Sequence, residues 1–445
     1  IKLGMLHDYG RKQINNLSHV TKGYEMLYDE GWYNEAIGCL THSFLNGGRC
    51  ASNEKADPGF YVDEYGNPKW EENSYKDDVT IFLENYKYSD YDKILNMNGV
   101  NQEYLDEIKQ KVHNKIENVD LYQYKGSVSK LLGLTVEVKL PGLKIGDLCY
   151  IEAANGEKKP AEVVAFKGDA AQLLLLYDGA GIGQGSLVTT TGGPIIIPVG
   201  DFLLGRLINP MGEPIDGKPL DIEGAVWRPS DGPPPGPFER PIITEMFSTG
   251  VRAIDSCLTF GCGQRMGLFA GSGVGKSTLL GMIARNSDAD VNVVALIGER
   301  GREVKEFVED ALGPEGMKKS VLVCSTGDQP PLIRQKCLLT ATAVCEYFRD
   351  QGKKVFLMTD TVTRCAMAGR EVGLSIGEPP TMKGYPPSIF SWLQKVLERA
   401  GNSPKGSITA FYTVLMEGDD INDPIVDTVR GITDGHIFLS SKVAE

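Results

Sequence analysis

The stretch Arg265-Met266-Gly267-Leu268-Phe269-Ala270-Gly271-Ser272-Gly273-Val274-Gly275-Lys276-Ser277-Thr278-Leu279-Leu280 decides how the chain is read. Met266 to Ala270 is a short apolar run, read as a buried strand, and a helical apolar pattern begins after the glycines. Strand, glycine-rich loop and helix start, in that order, predict a phosphate-binding loop. Gly271, Gly273 and Gly275 let successive backbone N–H groups curl around an anion without Cβ clashes. Ser272, Val274 and Thr278 complete the expected cradle. Lys276 is expected to reach the β- and γ-phosphates, and the Ser277 hydroxyl to hold Mg²⁺. Ala270 stands where the general pattern has glycine, a small replacement.

Downstream the pattern alternates strand and helix. Val291 to Ile297 reads as a strand that runs into Gly298-Glu299-Arg300-Gly301-Arg302-Glu303, and Ser320 to Cys324 as another. Leu332 to Arg349 reads as a helix, and Lys354 to Asp360 as an apolar strand ending in an acid. Such alternation predicts an α/β fold, a mainly parallel sheet with helices on both faces and ligands at the strands' carboxyl ends. There Asp360 is placed to bind Mg²⁺ through water. Glu299, ending a neighbouring strand, is placed to polarise the water that attacks a γ-phosphate. Arg300, Arg302 and Arg364 follow the same strand ends; one or two are expected to sense phosphate and the others to pair with carboxylates.

Upstream the character changes twice. Residues 201–217 and a proline-rich linker from Pro229 to Pro237 lead into the phosphate loop. Between 119 and 200, short alternating runs such as Thr135-Val136-Glu137-Val138 and Cys149-Tyr150-Ile151-Glu152 are separated by turn signals, which predicts a small β-barrel. Residues 1–118 hold 11 of the 18 tyrosines and 4 of the 5 histidines, but only Pro58 and Pro68 of the 24 prolines. They carry 13 basic and 20 acidic residues, so 13 − 20 = −7 of the chain's −13. That shift marks a domain boundary. Helices are expected over 24–45 and 102–116. Gly31 to Ile37 resembles the turn of one tetratricopeptide-type hairpin, although one copy does not make an array. His7, His19, His42 and His113 lack metal-ligand spacing. The acidic balance argues against a general nucleic-acid binder. No apolar run approaches a membrane span, and nine cysteines without a CxxC pair read as reduced thiols.

Residues 119–445 resemble the hexameric ATPases of flagellar and type III protein export, most closely the flagellar ones, and more distantly the α and β subunits of rotary ATP synthases. Gly250-Val251-Arg252-Ala253-Ile254-Asp255 carries the resemblance, as do Phe269 to Thr278 and Ala295 to Val304. Gly377 to Ser388, Glu417-Gly418-Asp419-Asp420 and Asp434-Gly435-His436-Ile437 also carry it. It implies a β-barrel over 119–200 and a RecA-like P-loop NTPase core over 201–445, with ATP and Mg²⁺ as ligands. By resemblance Lys276 is the loop lysine and Ser277 the Mg²⁺ ligand. Glu299 matches the catalytic base, Asp360 the second-motif acid, and Arg300 and Arg364 arginines close to phosphate. A homo-hexamer is implied. So are stator and stalk proteins, export chaperones and unfolded substrates as partners, at the cytoplasmic face of the inner membrane beside the export gate.

Several departures accompany the resemblance. Residues 1–118 have no counterpart in it, and Gln394 and Ser441 replace the more usual proline and arginine. The helical C-terminal domain, the arginine finger and the adenine-stacking aromatic are expected beyond Glu445, which implies low activity for the 445 residues alone. Other readings stay open: a non-flagellar export ATPase, a rotary ATPase subunit, an RNA-translocating helicase, or a catalytically impaired nucleotide-binding regulatory subunit. RNA-stimulated turnover would single out the helicase, and absent turnover the regulatory subunit.

Overall fold

The computed structural model describes residues 125–440 except Ser272, together with a short antiparallel hairpin of β1 (Phe60–Val62) and β2 (Pro68–Trp70). The chain divides into two units, Ile1–Val119 and Asp120–Glu445. The first was expected to be mostly helical, whereas its described part is the hairpin. The helices expected over 24–45 and 102–116, the tetratricopeptide-like turn and the four histidines lie outside the described residues.

In the second unit six antiparallel strands close a barrel in the order β3-β4-β7-β6-β5-β8. They are β3 (Lys125–Leu132), β4 (Thr135–Lys139), β5 (Leu148–Glu152), β6 (Lys158–Lys167), β7 (Ala170–Leu175) and β8 (Leu187–Thr190). The period of two explains the barrel's interior: Val136 and Val138 on β4 point in, and Thr135 and Glu137 do not. β7 is buried along its whole length because its two faces have different neighbours. Ala171, Leu173 and Leu175 fill the barrel, while Leu174 packs into the core that follows.

β9 (Ile196–Val199) pairs with β11 (Val226–Pro229) beside the barrel, and β10 (Arg206–Ile208) joins the main sheet as an edge strand. β12 (Met246–Phe247) and β13 (Phe260–Gly261) flank helix α1 (Arg252–Cys257). The main sheet then adds β14 (Arg265–Ala270), β15 (Val291–Glu299), β16 (Ser320–Thr326), β17 (Lys354–Asp360), β19 (Ser407–Leu415) and β20 (Gly435–Leu439). The order is β10-β16-β15-β17-β19-β14-β20, with every neighbouring pair parallel. The short β18 (Gly401–Asn402) pairs antiparallel with β19.

Such a sheet must be covered on both faces. The intervening helices do this: α2 (Lys276–Asn286), α3 (Gly301–Glu306), α4 (Gly313–Lys318), α5 (Pro331–Asp350), α6 (Val362–Ser375), α7 (Pro387–Leu397) and α8 (Pro424–Ile432). β15 shows the division. Val293, Ala295 and Ile297 face the core built with α5 to α8, while Val294 and Leu296 face the core shared with Leu280 and Ile283 of α2. One buried ion pair joins barrel to core, Lys336 Nζ on α5 lying 2.6 Å from Glu162 Oε2 on β6.

Candidate active site

The phosphate loop lies between β14 and α2, as its residue types require. Gly273 and Gly275 have φ of 80° and 86°, a region that L side chains rarely adopt. Gly275 caps α2 in that left-handed conformation. The first backbone bond of the helix is Leu279 N–H to Gly275 C=O, 3.0 Å. The N–H groups of Lys276, Ser277 and Thr278 therefore remain available as donors at a helix N-terminus, with the positive end of the helix dipole behind them. Ser277 and Thr278 are exposed, and Gly271 is buried at the end of the strand. Ser272 lies outside the described residues.

The two acids end adjacent parallel strands, β15 and β17, with Leu296 opposite Asp360 in register. Asp360 is 5% exposed and Lys276 15%. The Lys276 ammonium contacts Asp360 Oδ1, an oxygen that has no well-oriented hydrogen-bond donor. The Asp360–Thr361 peptide is cis. Glu299 is delivered by an irregularity in the β15–β16 ladder between Ile297 and Glu299, where Gly298 adopts φ of 67°. Arg364 on α6 closes over this bulge. Its Nη1 donates to the Gly298 carbonyl and stands 3.0 Å from Glu299 Oε1.

Electrostatics separate the acids' neighbours. Burial pushes the Glu299 carboxyl up to about 8, and a hydrogen bond to Glu303 and the charge of Asp360 add to it, against the lowering effect of Arg364 and Lys276. The same hydrogen bond holds Glu303 below the usual carboxylate range. Lys276, Asp360, Glu299 and Arg364 thus share the carboxyl edge of one sheet. Arg300 does not join them. Its side chain is 72% exposed and lies 3.7 Å from Glu303 Oε1, and Arg302 is likewise on the surface beside Glu303.

The residue that sequence reading passed over is Glu303. Its signal is the spacing Glu299-x-x-x-Glu303 across a helix start, where Glu303 accepts from the Arg300 N–H. Hard oxygen donors and a cationic lysine around an open loop suit a magnesium–nucleotide, and the Asp360 carboxylate, whose Oδ1 meets only the Lys276 ammonium, with the Ser277 hydroxyl fits Mg²⁺. Among the described residues no cluster of three or more His, Cys, Asp or Glu side chains is arranged to hold a metal by itself.

Comparison with known proteins gives the family. The "ATP synthase alpha/beta family, nucleotide-binding domain" matches residues 250–445. The flagellum-specific ATP synthase of Bacillus subtilis is 53% identical over 331 residues, covering 74% of this chain and 75% of that protein. The chain belongs to the flagellar and type III secretion ATPase family. A type 3 secretion system ATPase of Xanthomonas euvesicatoria, also of this family, is 47% identical over 72% of each chain. The structure of the assembled ATPase EscN from the enteropathogenic Escherichia coli type III secretion system superposes with a TM-score of 0.67. It is 49% identical over 72% of this chain and 76% of that one. EscN in complex with its central stalk EscO gives 0.65. The barrel followed by a parallel nucleotide-binding core is the fold these proteins share.

Proposed function

We propose that the chain hydrolyses ATP at the carboxyl edge of the sheet, as a ring subunit that drives protein export through a flagellar type III apparatus. The observation that carries the chemistry is the Lys276–Asp360 contact at the loop, with Glu299 one strand beyond Asp360. The free N–H groups at the start of α2 hold the phosphate oxygens, and Lys276 leaves Asp360 to neutralise the β- and γ-phosphates. Ser277 and Asp360 would hold Mg²⁺, which would supply charge neutralisation on those oxygens. Glu299, as carboxylate, accepts the proton of the attacking water. Arg364 orients Glu299 from 3.0 Å and lies within reach of the γ-phosphate. Arg300, exposed in the single chain, belongs to the same reading as a phosphate-side arginine.

Export, ring assembly and a stalk partner are supported by the relatives' names and by the assembled EscN structures. A homo-hexamer with stator, chaperone and unfolded-substrate partners, at the cytoplasmic face of the inner membrane, belongs to the same reading. Among the described residues no helix is long and apolar enough to cross a membrane.

The test is nucleotide binding and phosphate release by the chain and two variants. Lys276→Ala is expected to lose most nucleotide affinity. Glu299→Gln is expected to keep affinity and lose about two to four orders of magnitude in turnover. Unchanged turnover in Glu299→Gln removes Glu299 as the base.

A further inference from the structure

Beside Asp360 the pairing of β17 with β19 passes from backbone to threonine hydroxyls. The ladder between the two strands ends at Thr359 opposite Tyr412. Beyond it, Thr413 Oγ1 donates to the Thr359 carbonyl, and Thr361 Oγ1 donates to the Thr413 carbonyl at 2.9 Å. The Leu415 N–H then donates to Thr363 Oγ1 at 2.9 Å, and that hydroxyl faces the Leu415 carbonyl at 3.4 Å. Thr361, Thr363 and Thr413 are all buried, so water is a poor substitute for any of these partners.

Thr361 shows where the hydroxyls are spent. It is the N-cap of α6, the position from which a threonine ordinarily accepts an N–H of its own helix. Its side chain makes no such bond and crosses to β19 instead. The start of α6 is thereby held to a strand, and two site residues flank the held segment. Asp360 stands immediately before Thr361, and Arg364 immediately after Thr363.

The other side of the same strand end holds the phosphate loop. Ala270, the last residue of β14, pairs with Leu415 in register, and its carbonyl accepts from the Met416 N–H at 2.9 Å. Leu415 and Met416 are therefore a two-residue bridge between the loop that carries Lys276 and the turn that carries Asp360. Since β19 lies between β14 and β17, no backbone ladder joins loop to acid directly.

We propose that Thr363 is a positioning residue, fixing the Asp360 turn against the phosphate loop through Leu415, with Thr361 in support. Of the three hydroxyls, Thr363's is the one that reaches the residue paired to the loop. The proposal rests on the reading in which Ser277 and Asp360 hold Mg²⁺. Those two residues stand on opposite sides of the bridge, so Thr363 sets their spacing without touching the ion.

Thr363→Val keeps the branched shape but leaves the Leu415 N–H without its acceptor, whereas Thr363→Ser keeps the hydroxyl. A fluorescent ATP analogue is titrated into the 445-residue chain with Mg²⁺ and again with a chelator, and the ratio of affinities is the gain due to Mg²⁺. Thr363→Val is expected to lose about tenfold of that gain while its affinity in chelator stays at the parent's. Thr363→Ser is expected to keep the gain. A gain in Thr363→Val equal to the parent's overturns the proposal, as does a loss in Thr363→Ser as large as in Thr363→Val. Denaturant titration checks that each variant folds. If Thr363→Val does not, Thr361→Val, which gives up only a donor to the Thr413 carbonyl, takes its place with a smaller loss expected, and an unchanged gain there overturns the proposal. Asp360→Asn tests the reading beneath: a gain that survives in this variant removes Asp360 as a Mg²⁺ holder, and the proposal with it.

Discussion

Lys336 of α5 and Glu162 of β6 form a buried ion pair between the nucleotide core and the barrel, with Nζ 2.6 Å from one carboxylate oxygen and 2.7 Å from the other. Both charges have left water, so each depends on the other. Removing one partner is expected to destabilise the chain by about 3–5 kcal/mol, because it strands a buried charge. Replacing both, as Glu162→Leu with Lys336→Met, should recover most of that loss. A double-mutant cycle in chemical denaturation reads the difference, and additive effects of the two single variants would refute the pairing.

Gly298 carries a second prediction. Its φ of 67° disfavours side chains, and a Cβ there would lie 3.2 Å from Arg364 Cδ. Gly298→Ala should cost about 1–3 kcal/mol in strain and displace Glu299 and Arg364 together. Turnover is expected to fall more than nucleotide affinity. A parent-like kcat in this variant would show that the bulge does not position the base.

The pH dependence follows from Glu299. Its folded carboxyl titrates near 8 against an ordinary 4.5, and a base must be ionised to act. Activity should therefore rise with pH through that raised value. Arg364→Ala removes a cation that lowers the value, so the rising limb should move to still higher pH. Stability runs the opposite way. The contribution from protonated Glu299 is fully present below about pH 4.5 and is lost as pH rises through about 8. Thermal midpoints of the parent and Glu299→Gln should thus diverge across this window, with the parent losing ground at the alkaline end.

Asp255 yields a prediction about folding alone. Its carboxylate accepts from Thr249 N–H at 2.8 Å, Thr249 Oγ1 at 2.7 Å, Ser248 Oγ at 2.9 Å and Gly250 N–H at 3.0 Å. Asp255→Ala leaves all four donors without that acceptor and should destabilise by at least about 2 kcal/mol, measured by denaturant titration. The nucleotide contacts lie elsewhere, so affinity per folded molecule should be unchanged.

These residues also mark what the sequence can and cannot disclose. The parallel sheet was legible because several of its strands are apolar runs, two of them ending in the acids Glu299 and Asp360, and the loop because glycine, lysine and serine are needed together. Gly250 to Asp255 was legible only as a matching string. Its physical content, a carboxylate collecting four donors, needed coordinates. β8 and β10 escaped notice because strands of three or four residues with half-buried side chains leave no periodic signal. Arg300 and Glu303 are the sharpest case. The helix begins at Gly301, leaves Arg300 exposed and sets the Glu303 carboxylate against the Arg300 backbone N–H, a placement that the run of charged residues from Glu299 to Glu303 does not disclose.

The strand order has a mechanical consequence. The phosphate grip hangs from β14 and the base from β15, and β19 and β17 stand between them. Neighbouring strands are rotated by about 20–25°, so the gap across the site spans three accumulated rotations. A small, evenly shared unwinding would swing Lys276 and Glu299 apart while every ladder bond stayed made. The twist shared by these strands therefore sets the distance between phosphate grip and base. Spin labels on α2 and α3 whose separation stayed constant through the nucleotide cycle would rule this out.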